Sequence, residues 1–284
     1  MNMSHKNGKQ AQEILELQNE DGTWGVMFHS MSQPNKKNPL TTEQALRRLK
    51  ALGFTIEDEP IRKVVDCMAA CLRGERRIDE YWEKTLDWKL FTKLMLSAWI
   101  RIFEPDNEPA LQFAKRWARV IEKGFESGNF DRTAYAQAYR CEFYPNEKGK
   151  KETGFTLFYQ MNLLQGVLTE ETEKCLLDYV LENAGGIYYI YTKPLNQPPE
   201  VFESKETSYY LAAIEILAGY RFAKEKLGFV VDWLESNKDE NGQWDLGVKA
   251  KDSVYFPLSD SWRKGEDRKA DCTERITALL EKLR

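Results

Sequence analysis

Two short segments of this 284-residue chain limit what it can fold into: "ILELQNEDGTWG", residues 14–25, and "WLESNKDENGQWDLG", residues 233–247. Each runs from an apolar helix end through amides and acids to a glycine, one spacer and a tryptophan. Aligned, Leu15 faces Leu234, Asp21 faces Asn241, Gly22 faces Gly242 and Trp24 faces Trp244. A helix that stops there needs a residue that tolerates the left-handed turn, and glycine does so without strain. A side-chain amide or acid can bond the backbone groups that the helix end leaves orphaned. The indole then covers the turn and packs on the next hairpin. One device recurring near both ends of a chain predicts stacked helical hairpins. With units of roughly 40 to 47 residues, the interval between the two tryptophans holds about five.

Helical periodicity runs through the rest. Ile61, Val64, Val65, Met68 and Leu72 recur at three- and four-residue steps, as do Ile276, Leu279, Leu280 and Leu283. Leu86, Leu90, Leu94, Ala98 and Ile102 line a helix whose flanks are also apolar, so it should lie deep in the domain. Thr41 with Gln44, and Asp271 with Glu274, have the capping-box spacing that opens a helix. In "IEDEP", Glu57 to Glu59 precede Pro60, an order that a helix N-terminus favours. The one strand candidate is "GIYYIYT", residues 186–192; without an equal partner it reads equally as an extended arm or an irregular loop. Turn-rich joints such as "SQPNKKNP" and "TKPLNQPPE" link the segments, and none is long enough to divide the chain. The expectation is an all-α protein of about a dozen helical segments, one domain spanning 1–284.

Composition removes several function classes. A net charge of −4 offers no basic stripe for nucleic acid. The longest apolar runs, such as "LMLSAWI", fall far short of the ~18 residues of a membrane span, and "MNMSHKNGKQAQ" has no apolar run of signal-peptide length. A cytoplasmic location is the expectation. Five cysteines form an odd set without a CxxC pair, and Cys67 and Cys71, four apart, share a helix face as core packing in a reducing compartment. A soft metal site is the alternative there, with no other ligands nearby.

The two quoted segments resemble the QW motif of the prenyltransferase and squalene-oxidase repeat superfamily: an apolar helix end, Gln18, Gly22, any residue and Trp24. In the second copy Ser236 or Asn237 stands near the place of the glutamine. The resemblance covers about 30 residues of motif and implies an (α/α) toroid, about five or six helical hairpins with inner and outer helices around a central cavity. The superfamily includes triterpene cyclases, β subunits of protein prenyltransferases and small bacterial proteins of unassigned activity. It implies a hydrophobic, isoprenoid-type ligand in the cavity. Two of its chemistries depart from this chain. The DxDD acid of the cyclases is absent, and "IEDEP" is the nearest cluster. The zinc pattern of the prenyltransferases, an Asp, a Cys and a distant His, is absent too: Asp271 and Cys272 are adjacent, and the only histidines are His5 and His29. No metal or cofactor is expected.

Three places offer candidate chemistry. In "PLSDSWRKGEDRKADCTER", Arg263, Lys264, Arg268 and Lys269 could hold a diphosphate beside Trp262, oriented by Asp260 and Asp271. Around "YYIYTKPLNQPPEVFESKETSYY", Tyr188, Tyr189, Tyr191, Tyr209 and Tyr210 could wall a pocket for a carbocation, a sugar or an isoprenoid chain, with Glu203 and Glu206 in the next helix's first turn. His29, just past the first motif, could face the cavity as general acid or base. Each has a structural reading beside it: a solvated loop and N-cap, ordinary aromatic packing, and a hydrogen-bonded loop histidine. Two rival functions also stand, a non-catalytic scaffold that presents helices to a protein partner and a carbohydrate-active toroid with a pair of carboxylates.

Overall fold

The protein is described by a computed structural model covering residues 5–26, 28–29, 40–78, 87–147, 152–252 and 254–284. Among these residues it is all α, with twelve α-helices and no strand. A 3₁₀ turn at His5–Asn7 precedes α1 (Lys9–Leu15), α2 (Thr42–Ala51), α3 (Glu59–Arg73), α4 (Trp88–Phe103), α5 (Glu108–Gly124) and α6 (Arg132–Phe143). Then come α7 (Phe158–Leu163), α8 (Glu170–Glu182), α9 (Lys205–Leu217), α10 (Ala223–Lys226), α11 (Gly228–Ser236) and α12 (Gly265–Leu283).

Local chemistry sets these starts. Thr41 and Gln44 form a full capping box on α2. Asp87, Asp131, Thr169 and Ser204 accept amide bonds at the heads of α4, α6, α8 and α9. Prolines occupy the first turns of α3 and α5, and Glu59 joins Pro60 there as expected. In α4 every residue from Leu94 to Arg101 is buried, as its unbroken apolarity foretold. Leu86 and the "SQPNKKNP" joint lie outside the described residues.

The paired segments form the same turn twice. Trp24 donates its indole N–H to the Ile14 carbonyl at 2.7 Å, and Trp244 donates to the Leu234 carbonyl at 2.8 Å. The amide of Trp24 bonds the Thr42 hydroxyl on α2, and that of Trp244 the Thr273 hydroxyl on α12. Asn19 N–H bonds the Thr23 carbonyl, and Asp239 N–H bonds the Gln243 carbonyl. The structural equivalents are therefore Ile14 and Leu234, not Leu15 and Leu234. Lys238, not Ser236 or Asn237, follows in register with Gln18. Gln18 bridges the turn to α3, donating to the Gly22 and Pro60 carbonyls at 2.9 Å each. Gly22 itself admits no other residue, since its φ is +91° and an added Cβ would sit 2.8 Å from the α3 backbone at Lys63 and Val64.

The turn has weaker relatives. The glycine amide bonds the carbonyl three residues back at Gly8, Gly53 and Gly219 too, so the bond sets no period by itself; Gly22, Gly74, Gly128, Gly186 and Gly242 share it. These glycines follow α1, α3, α5, α8 and α11. Helices pack in sequence around them: α1 against α2, α3 against α4, α4 against α5 and α7, α7 against α9, and α10 and α11 against α12. The chain's ends meet, His5 bonding Glu274 at 3.0 Å and the Gln10 amide donating to the Ser259 carbonyl.

One open reading is resolved, toward the irregular loop, and one expectation is corrected. Residues 186–192 form a tight reversal rather than a strand, because Ile187 and Tyr191 bond each other's backbone at 2.9 and 3.0 Å and use the donors a sheet would need. Asp271 opens no helix; it lies inside α12, whose first residue is Gly265. Asp271 also has no capping role, as its carboxylate serves another loop, described below. Each tryptophan turn predicts a cost on substitution. Trp24→Phe and Trp244→Phe should each destabilise the fold by about 0.5–1.5 kcal/mol in urea denaturation, through the lost indole bond to a carbonyl that keeps the Leu17 or Asn237 amide, and the alanine variants by about 3–5 kcal/mol. An unchanged midpoint in Trp244→Ala would remove the turn from any role in stability.

Candidate functional site

Five helices contribute to one cavity of about 410 Å³. Arg47, Lys50 and Ala51 come from α2, Trp99, Arg101 and Ile102 from α4, and Phe158 and Asn162 from α7. Ala212, Glu215 and Ile216 come from α9, and Arg275, Ala278, Leu279 and Lys282 from α12. The steps of three, four and seven within these sets are those of one helix face. Each helix therefore turns one stripe toward a common space. Among the described residues lining it, five are cationic and only Glu215 is acidic.

These cations are not neutralised alike. Arg275 pairs with Glu215 at 3.1 Å and stacks on the Tyr255 ring with its guanidinium carbon 3.5 Å from the centroid. Its Nη1 is buried without a hydrogen-bond partner. Burial works against its charge, but Glu215 and Tyr255 more than restore it, so the guanidinium stays protonated. Arg101, buried in α4, donates to the Pro105 and Gln165 carbonyls at 2.7 and 2.5 Å and leaves its Nε unpartnered. No side-chain hydrogen bond acts on the Lys50 ammonium. Water reaches Lys50 at the cavity mouth, yet protein surrounds it; that desolvation, with Lys282, Arg47 and Arg275 nearby, lowers its pKa to about 8 against the pull of Glu215.

A second cavity of about 530 Å³ shares Arg47, Ile190 and Val254 with the first. Its wall holds Tyr189, Tyr191 and Tyr209, with Gln44 from α2 and Lys205 and Glu206 from α9. Charges are paired here: Lys193 with Glu206 at 2.7 Å, Lys205 with Asp252 at 2.8 Å, and the Tyr209 hydroxyl donating to Asp252 at 2.6 Å. Between the cavities Arg47 is held by Glu43, a fully buried carboxylate at 3.3 Å, and by the Tyr189 hydroxyl at 2.8 Å. Glu43 also accepts from Tyr159 at 3.0 Å and from Tyr189. Burial, then Glu43, pushes the Tyr159 phenol far above its ordinary range, which keeps it a donor. The Arg47 guanidinium lies 4.8 Å from the Phe158 ring centroid.

The residues anticipated from sequence are dispersed. Tyr189, Tyr191 and Tyr209 do come together, on the second cavity. His29 is buried against the rings of Phe91, Tyr159 and Tyr189, at 5.6, 6.0 and 6.3 Å, one layer behind it. Glu203 is exposed beside Gly247, and Asp260 and Arg263 are exposed on the loop before α12. Arg268 is bound by both oxygens of Asp245, at 2.6 and 2.7 Å, and Lys269 by Asp239 at 2.8 Å. Asp271 is buried and accepts from the Leu258 and Ser259 amides, the Ser259 hydroxyl and the Trp262 indole at 2.7 to 3.0 Å. That bond explains a tryptophan in a polar loop: Asp271 and Trp262 fasten the loop to α12. The residues that do converge, Arg47, Lys50, Arg101, Arg275 and Lys282, were missed. An arginine inside the apolar "LMLSAWIRIF" was the available sign.

All five cysteines are free thiols, with Cys67 buried and Cys71 half-buried. No group of three or more metal-ligating side chains occurs among the described residues, and no helix there is long and apolar enough to cross a membrane. Comparison with known proteins returns no matching family model, no matching curated protein and no matching solved structure.

The partition between the cavities makes a testable demand. Glu43→Ala strands a buried guanidinium and should cost about 3–5 kcal/mol in stability, whereas Glu43→Gln, which still accepts from Tyr159, should cost less. Equal, negligible losses in chemical denaturation would show that Arg47 has no need of its partner.

Proposed function

We propose that the helices close into an (α/α) ring, related to the prenyltransferase and terpene-cyclase toroids that the two tryptophan turns resemble, and that its axial cavity binds an anionic molecule with an apolar body. The observation that carries this reading is the convergence of five helices on one cavity with five cations against a single acid. The contact between chain ends supports closure, with α2, α4, α7, α9 and α12 as inner helices and α1, α3, α5, α8 and α11 as outer ones.

The ligand class follows from the lining. Lys50 and Lys282 offer charged donors suited to phosphate or carboxylate oxygens, and Arg275 adds its positive charge to the same wall. Trp99, Ile102, Phe158, Ile216 and Leu279 offer apolar wall for a hydrocarbon portion. A prenyl diphosphate has both halves. Open space of this size supports a binding or catalytic role over that of a scaffold.

Calorimetry with farnesyl diphosphate, inorganic diphosphate and farnesol tests the reading. Farnesyl diphosphate should bind at least tenfold more tightly than either half, and Lys282→Ala or Arg275→Ala should weaken it by about tenfold or more. Because Lys50 loses its proton near pH 8, affinity for inorganic diphosphate should fall as pH rises from 7 to about 9, and Lys50→Arg should flatten that decline. No binding of either diphosphate, or binding indifferent to Lys282→Ala and Arg275→Ala, would overturn the proposal.

A further inference from the structure

Lys50 is held unlike the three arginines of the cavity and, unlike Lys282, also lines a neighbouring space. It lies in the last turn of α2, where the five-helix cavity adjoins a third one, of about 410 Å³, lined by His5, Lys6, Leu258 and Glu274 among others. Arg47 and Arg101 are tied into protein by their own hydrogen bonds, and Arg275 is held by Glu215. No such bond fixes the Lys50 Nζ, which stands on an accessible wall between an anion-binding side and open space. Lysine differs from arginine in one decisive respect: it can lose its proton near neutral pH and become a nucleophile. Surrounding protein, and after it the positive charge of Lys282, Arg47 and Arg275, favours that neutral form against the pull of Glu215.

We propose that Lys50 is a covalent site, whose ε-amine condenses with the aldehyde or ketone carbonyl of a small anionic molecule held through its phosphate or carboxylate by Arg275 and Lys282. The inference rests on the anion-binding reading of the same cavity and adds a reactive group to it. In the step, the Nζ lone pair adds to the carbonyl carbon and the C=O π pair moves onto oxygen, which takes up a proton. The resulting carbinolamine expels that oxygen as water while the C=N bond forms. Carbonyl plus amine gives imine plus water, with no change of oxidation state and no further reactant. Glu215, the one carboxylate among the described lining residues, is the group on hand to pass the proton from nitrogen to the departing oxygen. Arginine at position 50 would keep the charge and lose this chemistry.

Pyridoxal 5′-phosphate serves as an anionic aldehyde probe, with pyridoxal as its uncharged-tail control. The full chain is incubated with each, reduced with borohydride and mapped by peptide mass spectrometry. Labelling at Lys50 should exceed that at any other lysine by at least tenfold, fall on adding inorganic diphosphate, and be several-fold lower with pyridoxal. It should increase between pH 7 and 9, while reversible diphosphate binding declines over the same range. The groups that face this lysine across that interval are Glu215 from α9, Arg275, Lys282 and Glu274 from α12, Arg47 from α2 and His5 and Lys6 from the N-terminal turn. Label spread evenly over exposed lysines, or an undiminished total in Lys50→Arg, would overturn the proposal. Calorimetry of the wild-type chain with inorganic diphosphate separates the two readings. Diphosphate binding without selective labelling leaves the anion site standing and removes the imine, and absence of both removes both.

Discussion

The bond from a tryptophan indole to a helix-end carbonyl ten residues earlier is the constraint on which the rest of this fold hangs. A helix terminus exposes carbonyls that have no intrahelical partner, and burying them unpaired would cost about 1–3 kcal/mol each. Trp24 and Trp244 add a second donor to the Ile14 and Leu234 carbonyls, which also accept from the Leu17 and Asn237 amides, while their own amides reach hydroxyls on α2 and α12. One residue thereby covers the end of a helix and ties that turn to a later helix, at the first residue of α2 and inside α12. Both later helices, α2 and α12, also line the shared cavity.

The helix stripes lining that cavity bring together charge that would be unfavourable without compensation. Five cations among the described residues of one cavity repel one another, and the chain answers them unequally. Arg47 has a buried carboxylate, a phenol and three aromatic faces. Arg101 has two backbone carbonyls and an unpartnered Nε. Arg275 has Glu215 and the Tyr255 ring. Lys50 and Lys282 are exposed, and no side-chain hydrogen bond acts on Lys50. Charge left unsatisfied on a cavity wall is what a site for an incoming anion requires, since the ligand then completes the pairing that the protein leaves open.

How far this could be read from the amino acids depends on the range of the interaction. The turn was legible because its parts, Gly22 with Trp24 and Gly242 with Trp244, are neighbours in sequence. The carbonyl that the indole reaches was misplaced by one residue, as an apolar helix end shows no preference between Ile14 and Leu15. Asp271 was misread because the spacing of a capping box also occurs within helices, and here the carboxylate turns back to Leu258, Ser259 and Trp262. The tyrosines of the second cavity were found because three of them lie close together along the chain. The cationic cavity was not, because Arg47 and Lys282, 235 positions apart in the sequence, meet only where α2 and α12 line one cavity. No local pattern encodes that meeting.

The central claim is that the meeting place of α2, α4, α7, α9 and α12 is an anion site. Anomalous diffraction from crystals soaked in tungstate tests it most directly. The account predicts a metal-oxide peak within hydrogen-bonding reach of Lys50, Arg275 and Lys282. A peak on the exposed Arg263 and Lys264 loop with none in the cavity, or a cavity packed shut by its own side chains, would contradict it.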